Sequence, residues 1–170
     1  ETTLLSLVCH KPFHDVVQLL LRAKADPTLG SCPLSAALQL GDERVVGVLL
    51  DAKANVNRSL CSMARIGNSE ACQYLVAAKA DVDKSLRDAV QVGHVDACQQ
   101  LINAQADVNG AVQDGMTPLY FAAQNGRSDV AGVLLIAKAN VNVLTTTNNV
   151  SALYVATSRD HAETVRVLLN

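Results

Sequence analysis

A short phrase recurs five times along this 170-residue chain and constrains its fold more than any other feature. It consists of aliphatic residues followed by Ala, then Lys or Gln, then Ala, then Asp or Asn. The copies end at Asp26, Asn55, Asp81, Asp107 and Asn140, so their spacings are 29, 26, 26 and 33 residues. Self-similarity at such a period predicts a solenoid, in which each unit packs only against its neighbours. A stack of this kind usually offers a long surface rather than a catalytic pocket.

The clearest copy of the unit, residues 112–142, predicts a turn, a helix, a second turn and a second helix. An Asp-Gly pair signals the first turn, and Thr117 can cap the first helix. Pro118 then occupies the first helical position, where its missing N–H costs nothing. Gly126 is predicted to end that helix in the left-handed conformation. The second helix has a periodic apolar stripe that we expect to be buried, namely Val130, Val133, Leu134 and Ile136.

This unit resembles the ankyrin repeat. Residues 117–122 read Thr-Pro-Leu-Tyr-Phe-Ala where the family has Thr-Pro-Leu-His-x-Ala, and the likeness continues through Gly126 and residues 134–142. The leading leucine of the first helix recurs in six aligned copies, as Leu5, Leu34, Leu60, Leu86, Leu119 and Leu153. The resemblance implies an all-α fold, an ankyrin-like solenoid of six helix-turn-helix repeats, with the first and last truncated. We expect residues 1–170 to form a single ankyrin-repeat domain that is a fragment of a longer array.

One departure from the family lies after each second helix. The family places Gly between the two alanines there, in a left-handed turn. This chain has Lys24, Lys53, Lys79, Gln105 and Lys138 in that slot. A residue other than Gly costs on the order of 1 kcal/mol in that conformation. Two interpretations stay open: a lineage feature with the lysine head in solvent, or a basic edge that meets a partner.

A second departure shortens the middle repeats, those following Asn55 and Asp81. Only five residues separate each of these from the next leading leucine, against twelve between Asp107 and Leu119. The missing piece corresponds to the projecting turn, or finger. We therefore predict intact helices, a gap in the finger row at the middle of the stack, and longer fingers near residues 109–118 and 142–152. The gap is either an opening for a bulky partner element or a tolerated loop deletion.

Composition argues against several classes of partner. The chain carries 14 Lys and Arg against 16 Asp and Glu, a net charge of −2, with both signs spread along its length. It lacks the basic surface that nucleic-acid binders and membrane-surface proteins use. We expect no nucleic acid, no membrane and a cytoplasmic, reducing environment. The five cysteines lack zinc-ligand spacing and are interpreted as small hydrophobes, with a redox role for one thiol as the alternative.

Nothing in the sequence suggests a catalytic or metal site. The chain lacks a serine-hydrolase elbow and the glycine-rich loops that bind phosphates or dinucleotides. His94 and His161 follow the turn between helices, where the family often uses His for structural hydrogen bonds. His10 and His14 could meet at i, i+4 spacing, but no third ligand lies nearby in sequence. We expect no catalytic residues, no metal, no cofactor, no small-molecule substrate and no enzyme.

The resemblance implies a concave binding face, built from the fingers and the exposed side of the first helices. The candidate partner-binding residues on that face are Gln113, Asp114, Met116, Tyr120, Gln124, Asn125, Asn148, Val150, Tyr154, Ser158, Arg159, Arg87 and Arg65. Leu40, Ile66 and Val92 end the first helices of the shorter repeats on the same face. Tyr120 and Tyr154 should stand side by side, either as contact residues or as packed spacers.

The function predicted from these residues is a monomeric, non-enzymatic interaction or scaffold module that binds a protein partner. One alternative is a regulatory or targeting segment of a larger enzyme whose catalytic domain lies outside this chain. The other is a structural spacer without a partner.

Overall fold

The computed structural model describes residues 3–11 and 13–170, and within them the chain forms twelve α-helices. They are α1 (Leu4–Val8), α2 (His14–Arg22), α3 (Pro33–Leu40), α4 (Glu43–Asp51), α5 (Val56–Ile66), α6 (Ser69–Ala77), α7 (Val82–Val92), α8 (Val95–Asn103), α9 (Pro118–Gln124), α10 (Ser128–Ile136), α11 (Ala152–Ser158) and α12 (Ala162–Leu169). Consecutive pairs make repeats 1 to 6. Over the described ranges, extended pairing is limited to one bridge between Leu144 and Ser151.

The helices form two layers. The odd-numbered helices, the inner layer, pack in chain order from α1 to α11, and the even-numbered helices form the outer layer behind them. Each repeat thus contacts the repeats beside it, which confirms the predicted all-α solenoid. No helix in the described part of the chain combines the length and apolarity needed to cross a membrane.

The leading leucines form the spine of the core. Those of repeats 1 to 5 are at most 2% exposed, and Leu153 of repeat 6 is half-buried. Fully buried alanines such as Ala37, Ala64 and Ala89 accompany them, and these small side chains let the inner helices approach closely. A core of this kind needs few aromatic residues, in keeping with the 3% in the sequence.

Two residues of the predicted buried stripe of α10 are not buried, since Val133 is half-buried and Ile136 is exposed. Ile136 is 84% exposed, whereas Val130, Ala131 and Leu134 supply the buried side of α10. Ile136 lies two residues after Leu134, which is about 200° around a helix with 3.6 residues per turn. Its side chain therefore projects from the opposite side of α10.

The glycines between the helices support contacts from one repeat to the next. Gly67, Gly93 and Gly126 have left-handed backbones, and the first residue of the following repeat's outer segment packs on each: His94, Arg127 and His161, respectively. The Nε2–H of His94 donates to the Arg65 carbonyl at 2.9 Å, and that of His161 to the Gln124 carbonyl at 3.2 Å. The structural role predicted for both histidines is confirmed.

A second set of contacts joins repeats 3 to 6 and was not predicted. In each of three successive steps a side-chain oxygen two residues after one copy of the phrase accepts a hydrogen bond from the backbone N–H of the residue that ends the next copy. The pairs are Asn57 with Asp81 at 2.7 Å, Asp83 with Asp107 at 2.8 Å, and Asn109 with Asn140 at 2.8 Å. These bonds fix the start of each connection relative to the preceding one.

The residues in place of the family's glycine do adopt the left-handed conformation. Their φ values are 63° for Lys24, 61° for Lys53 and Lys79, 68° for Gln105 and 66° for Lys138. All five side chains are exposed. The backbone prediction is confirmed, while a role for these lysines in binding stays a prediction.

The middle repeats lack fingers as predicted, but their inner helices are longer than expected. Helices α5 and α7 have eleven residues each, against seven in α9. Asn55 Oδ1 accepts the N–H of Arg58 at 2.9 Å, and Asp81 Oδ1 accepts that of Asp83 at 3.2 Å. The end of the repeat phrase thus caps the next helix directly. The residues between the end of the phrase and the leading leucine therefore form an extra helical turn at the start of α5 and α7.

We predict that Gly67→Ala destabilises the domain more than Gly41→Ala. Both glycines have similar φ values, 74° and 68°, so the left-handed strain of about 1 kcal/mol is shared. A Cβ on Gly67 would lie 2.5 Å from His94 Nδ1, whereas one on Gly41 meets nothing within 4 Å. Urea denaturation should show an additional loss of about 1 kcal/mol for Gly67→Ala. A His94→Ala background should abolish that difference, and equal losses in the two single variants would contradict the packing argument.

Lys138→Gly should stabilise the domain by up to about 1 kcal/mol, because glycine adopts a φ of 66° without the strain of a Cβ. Lys84→Gly is the matched control, since it makes the same chemical change inside α7, where glycine costs about 1 kcal/mol. Thermal denaturation should raise the midpoint for the first variant but not for the second. A lower midpoint for Lys138→Gly would disprove the strain assigned to this slot.

Candidate protein-binding surface

The fingers of repeats 5 and 6 are held together. The first contains a short 3₁₀ turn at Gln113–Gly115, and the second is closed by the bridge between Leu144 and Ser151. The backbone N–H of Thr146 donates to the Asp114 carbonyl at 2.8 Å, and the Thr147 hydroxyl donates to Asp114 Oδ1 at 2.5 Å. The two fingers therefore form one structured projection at this end of the stack.

The two predicted tyrosines differ in exposure. Tyr154 is 64% exposed on α11. Tyr120 is half-buried on the neighbouring α9, and its ring meets that of Phe121 edge to face with centroids 6.1 Å apart. Tyr120 is thus partly used in packing, whereas Tyr154 presents its ring to solvent.

The other predicted residues are spread over repeats 3 to 6 and differ in exposure. Asn148, Ser158, Arg159, Arg65 and the finger residue Asp114 are exposed, while Met116, Gln124, Asn125, Val150 and Arg87 are half-buried. The side chain of Gln113 lies outside the described part of the chain. Three of the set already have structural partners: Asp114 binds Thr147, Asn125 donates to the Phe121 carbonyl, and Ser158 donates to the Val155 carbonyl.

A groove lies where the sequence predicted a gap in the finger row, but the cations Arg58 and Lys84 in its lining were not predicted. It has a volume of about 610 Å³ and runs across the inner helices α3, α5 and α7, with His10 of repeat 1 at one end. Its charged side chains are Arg58, Arg65, Lys84 and Asp88. Arg65 is the residue that this lining shares with the predicted binding set. The signal in the sequence was the finger deletion together with a cation two residues before Leu60 and Leu86.

The groove also has an apolar side. Leu40, Ile66 and Val92 end the three inner helices in equivalent positions and are 48%, 49% and 40% exposed, and the last two line the groove. Ser35, at the groove's inner wall, is 7% exposed, and its hydroxyl has no hydrogen-bond partner among the described residues. The groove therefore combines cationic, polar and apolar side chains, the mixture that recognition surfaces use.

Comparison with protein-family models shows to which family this solenoid belongs. The family model described as "Ankyrin repeats (3 copies)" matches residues 60–145 and again residues 86–170, which together cover about two thirds of the chain. The chain belongs to the ankyrin repeat family. A search of curated proteins found no match.

The thiols of this ankyrin-repeat domain fall into two groups. All five cysteines are free, and Cys9, Cys72 and Cys98 are buried. Burial raises the pKa of the Cys9 and Cys72 thiols to about 11 and that of Cys98 to about 12. Cys32 and Cys61 are half-buried and line the groove instead, although burial also raises the pKa of the Cys61 thiol. Interpretation of the cysteines as buried hydrophobes thus holds for three of the five.

His10 and His14 do not have the helical i, i+4 relation that would allow them to meet on one side of a helix. Helix α1 ends at Val8 and α2 begins at His14, so the two histidines do not share a helix. His14 Nε2 lies 3.0 Å from Gln18 Nε2, and His10 belongs to the groove. Across residues 3–11 and 13–170, no three His, Cys, Asp or Glu side chains gather in a way that could hold a metal ion.

We predict that iodoacetamide at pH 8 modifies Cys32 and Cys61 well before the other three cysteines. With pKa values of about 11 to 12, the buried thiols stay protonated at that pH and are also shielded from the reagent. Mass spectrometry of proteolytic fragments measures each site, and the urea-unfolded chain gives the unprotected rates. Labelling of Cys98 as fast as Cys61 in the folded chain would contradict the assignment.

Proposed function

We propose that this ankyrin-repeat domain is a non-enzymatic module that binds a protein partner through its concave face. Ankyrin repeats are generally protein–protein interaction modules and are typically non-catalytic. The observation that carries the proposal is the exposure of Tyr154 on α11, beside the joined fingers. Arg159, the C-cap residue of the same helix, is also exposed. Tyr and Arg are the residue types enriched at interaction hot spots.

Several further features of repeats 5 and 6 support this use. The hydrogen bonds from Thr146 and Thr147 to Asp114 hold the fingers before any partner binds. A surface ordered in advance loses less conformational entropy on binding. Half-buried Met116 and Val150 add apolar area near the fingers. These features suit recognition of a folded or extended protein segment.

The groups whose pKa values depart from normal have structural causes. Burial raises the pKa of four cysteine thiols, Cys61 among them, and hydrogen bonds from Thr28 lower that of Asp26. Asp26 Oδ1 accepts both the backbone N–H and the hydroxyl of Thr28 in a turn. These shifts arise from packing and turn formation, which agrees with an interaction module.

We predict that Tyr120→Ala/Tyr154→Ala/Arg159→Ala lowers recovery of the partner in a quantitative pull-down from cell extract by at least about tenfold. Loss of an aromatic and a cationic contact from one surface accounts for an effect of that size. Tyr74→Ala is the matched control, because Tyr74 is a 43% exposed tyrosine of the outer layer.

Circular dichroism melting must show that each variant is folded. Since Tyr120 is half-buried, Tyr154→Ala/Arg159→Ala serves as a milder second variant. Proteins enriched by the wild-type chain and by Tyr74→Ala, but not by these variants, would support the concave face. Equal recovery by all folded variants would overturn its use in repeats 5 and 6.

A further inference from the structure

The groove over repeats 2 to 4 is a consequence of the missing fingers. In repeat 5 the residue two positions before the leading leucine is Thr117, which caps α9 and is buried. In repeats 3 and 4 the helix begins earlier, so the equivalent residues, Arg58 and Lys84, stand in the first turn of α5 and α7. Both side chains are exposed and line the groove.

These two cations stand where helix stability disfavours them. The N-terminal turn of a helix carries a partial positive charge, so a Lys or Arg there is repelled rather than attracted. Neither has a salt bridge, since the one ion pair found among the described residues joins Arg166 to Glu163. Arg58 and Lys84 occupy equivalent positions in adjacent repeats, although helix stability does not favour a cation there. This repetition indicates that the two cations serve to bind a ligand.

The charge balance of the groove is positive. Arg58, Arg65 and Lys84 face it with Asp88 as the one carboxylate, whereas the whole chain has a net charge of −2. Asp88 lies one helical turn after Lys84 yet forms no ion pair with it. The cationic side chains are therefore available to an incoming anion. The positive electrostatic potential is confined to the groove, because the chain as a whole is negatively charged.

The apolar side of the groove restricts the kind of anion. Ile66 and Val92 offer partly exposed aliphatic surface next to the cations. Across three neighbouring inner helices the groove spans roughly 20 Å, the reach of about six residues of extended chain. A peptide can present carboxylates and an aliphatic side chain over that length, whereas a polyanion would also meet the net negative charge of the remaining surface.

We propose that the groove formed by α3, α5 and α7 binds an acidic segment of the partner protein, with its carboxylates on Arg58, Arg65 and Lys84 and an aliphatic side chain on Ile66 and Val92. This inference rests on the proposed function and names the chemistry of the partner. The groove and the surface that carries Tyr120 and Tyr154 both lie on the inner helices, but they can be tested separately.

The experiment selects displayed random dodecapeptides on the immobilised chain and measures the enriched peptides, synthesised with a fluorescent label, by anisotropy. We expect enrichment of peptides rich in Asp and Glu with interspersed aliphatic residues. Arg58→Ala/Lys84→Ala should weaken their binding by about tenfold or more, and affinity should fall as salt is raised. Bound peptide should also slow alkylation of Cys61, which lines the groove, but not that of buried Cys98.

The control is Arg22→Ala/Arg44→Ala, which removes the same charge from exposed positions on the outer helices α2 and α4. It should bind the peptides like the wild type. Because Arg58 and Lys84 oppose their helix dipoles, the groove variant should melt no lower than the wild type. Weaker binding without lower stability would place the effect in the groove.

Three results would overturn the proposal. One is selection of peptides without acidic residues, or of none. Another is acidic peptides whose binding is unchanged in the groove variant or equally weakened in the outer-helix control. The third is tighter binding of an RNA oligonucleotide that displaces the peptides. Peptides that depend on Tyr154 but not on Arg58 or Lys84 would refute the groove while leaving the proposed function intact.

Discussion

Burial of each repeat's leucine against the neighbouring repeats is the constraint on which the whole structure depends. A pair of short helices cannot cover its own apolar side, so Leu34, Leu60 and Leu86 are buried only because units pack on both sides of them. Small alanines beside them set the close spacing, and that spacing brings His94 and His161 onto the glycine turns of the preceding repeats. Hydrogen bonds between neighbouring repeats then fix how the repeats align, which the burial of apolar side chains alone does not determine.

The same constraint explains why connections can vary without loss of the fold. The leucines and glycine turns keep the helices in place, so the segment between repeats is free to be long or short. Where it is long, as after Asp107, an Asx turn leads into a finger, with Asp107 Oδ1 accepting the N–H of Asn109 at 2.9 Å. Where it is short, after Asn55 and Asp81, the same acceptor caps an extended helix. One side-chain oxygen at the end of the phrase thus serves two different connections.

Variation in these connections gives the inner side two distinct surfaces. Joined fingers and exposed Tyr154 characterise repeats 5 and 6, while a positively charged groove with an aliphatic edge occupies repeats 2 to 4. In repeat 5, which has a finger, the position equivalent to Arg58 and Lys84 is the buried cap Thr117. Where the finger is absent the inner helix begins earlier, and the same position carries an exposed cation.

Much of the fold followed from the sequence by itself. The recurring phrase determined the solenoid, the leucine positions determined the core, and the left-handed turns at Lys138 and Gly126 could be assigned from residue type and spacing, because these depend on local geometry repeated in every unit. The tertiary structure decided what local patterns could not specify: the extra turn of α5 and α7, the exposure of Ile136, and the groove of Arg58 and Lys84. The extra turn depends on where each helix begins, and the exposure of Ile136 depends on which side of α10 faces the stack. The groove is a relation between neighbouring helices, and it arises only when stacked units cover some side chains and leave others open to solvent.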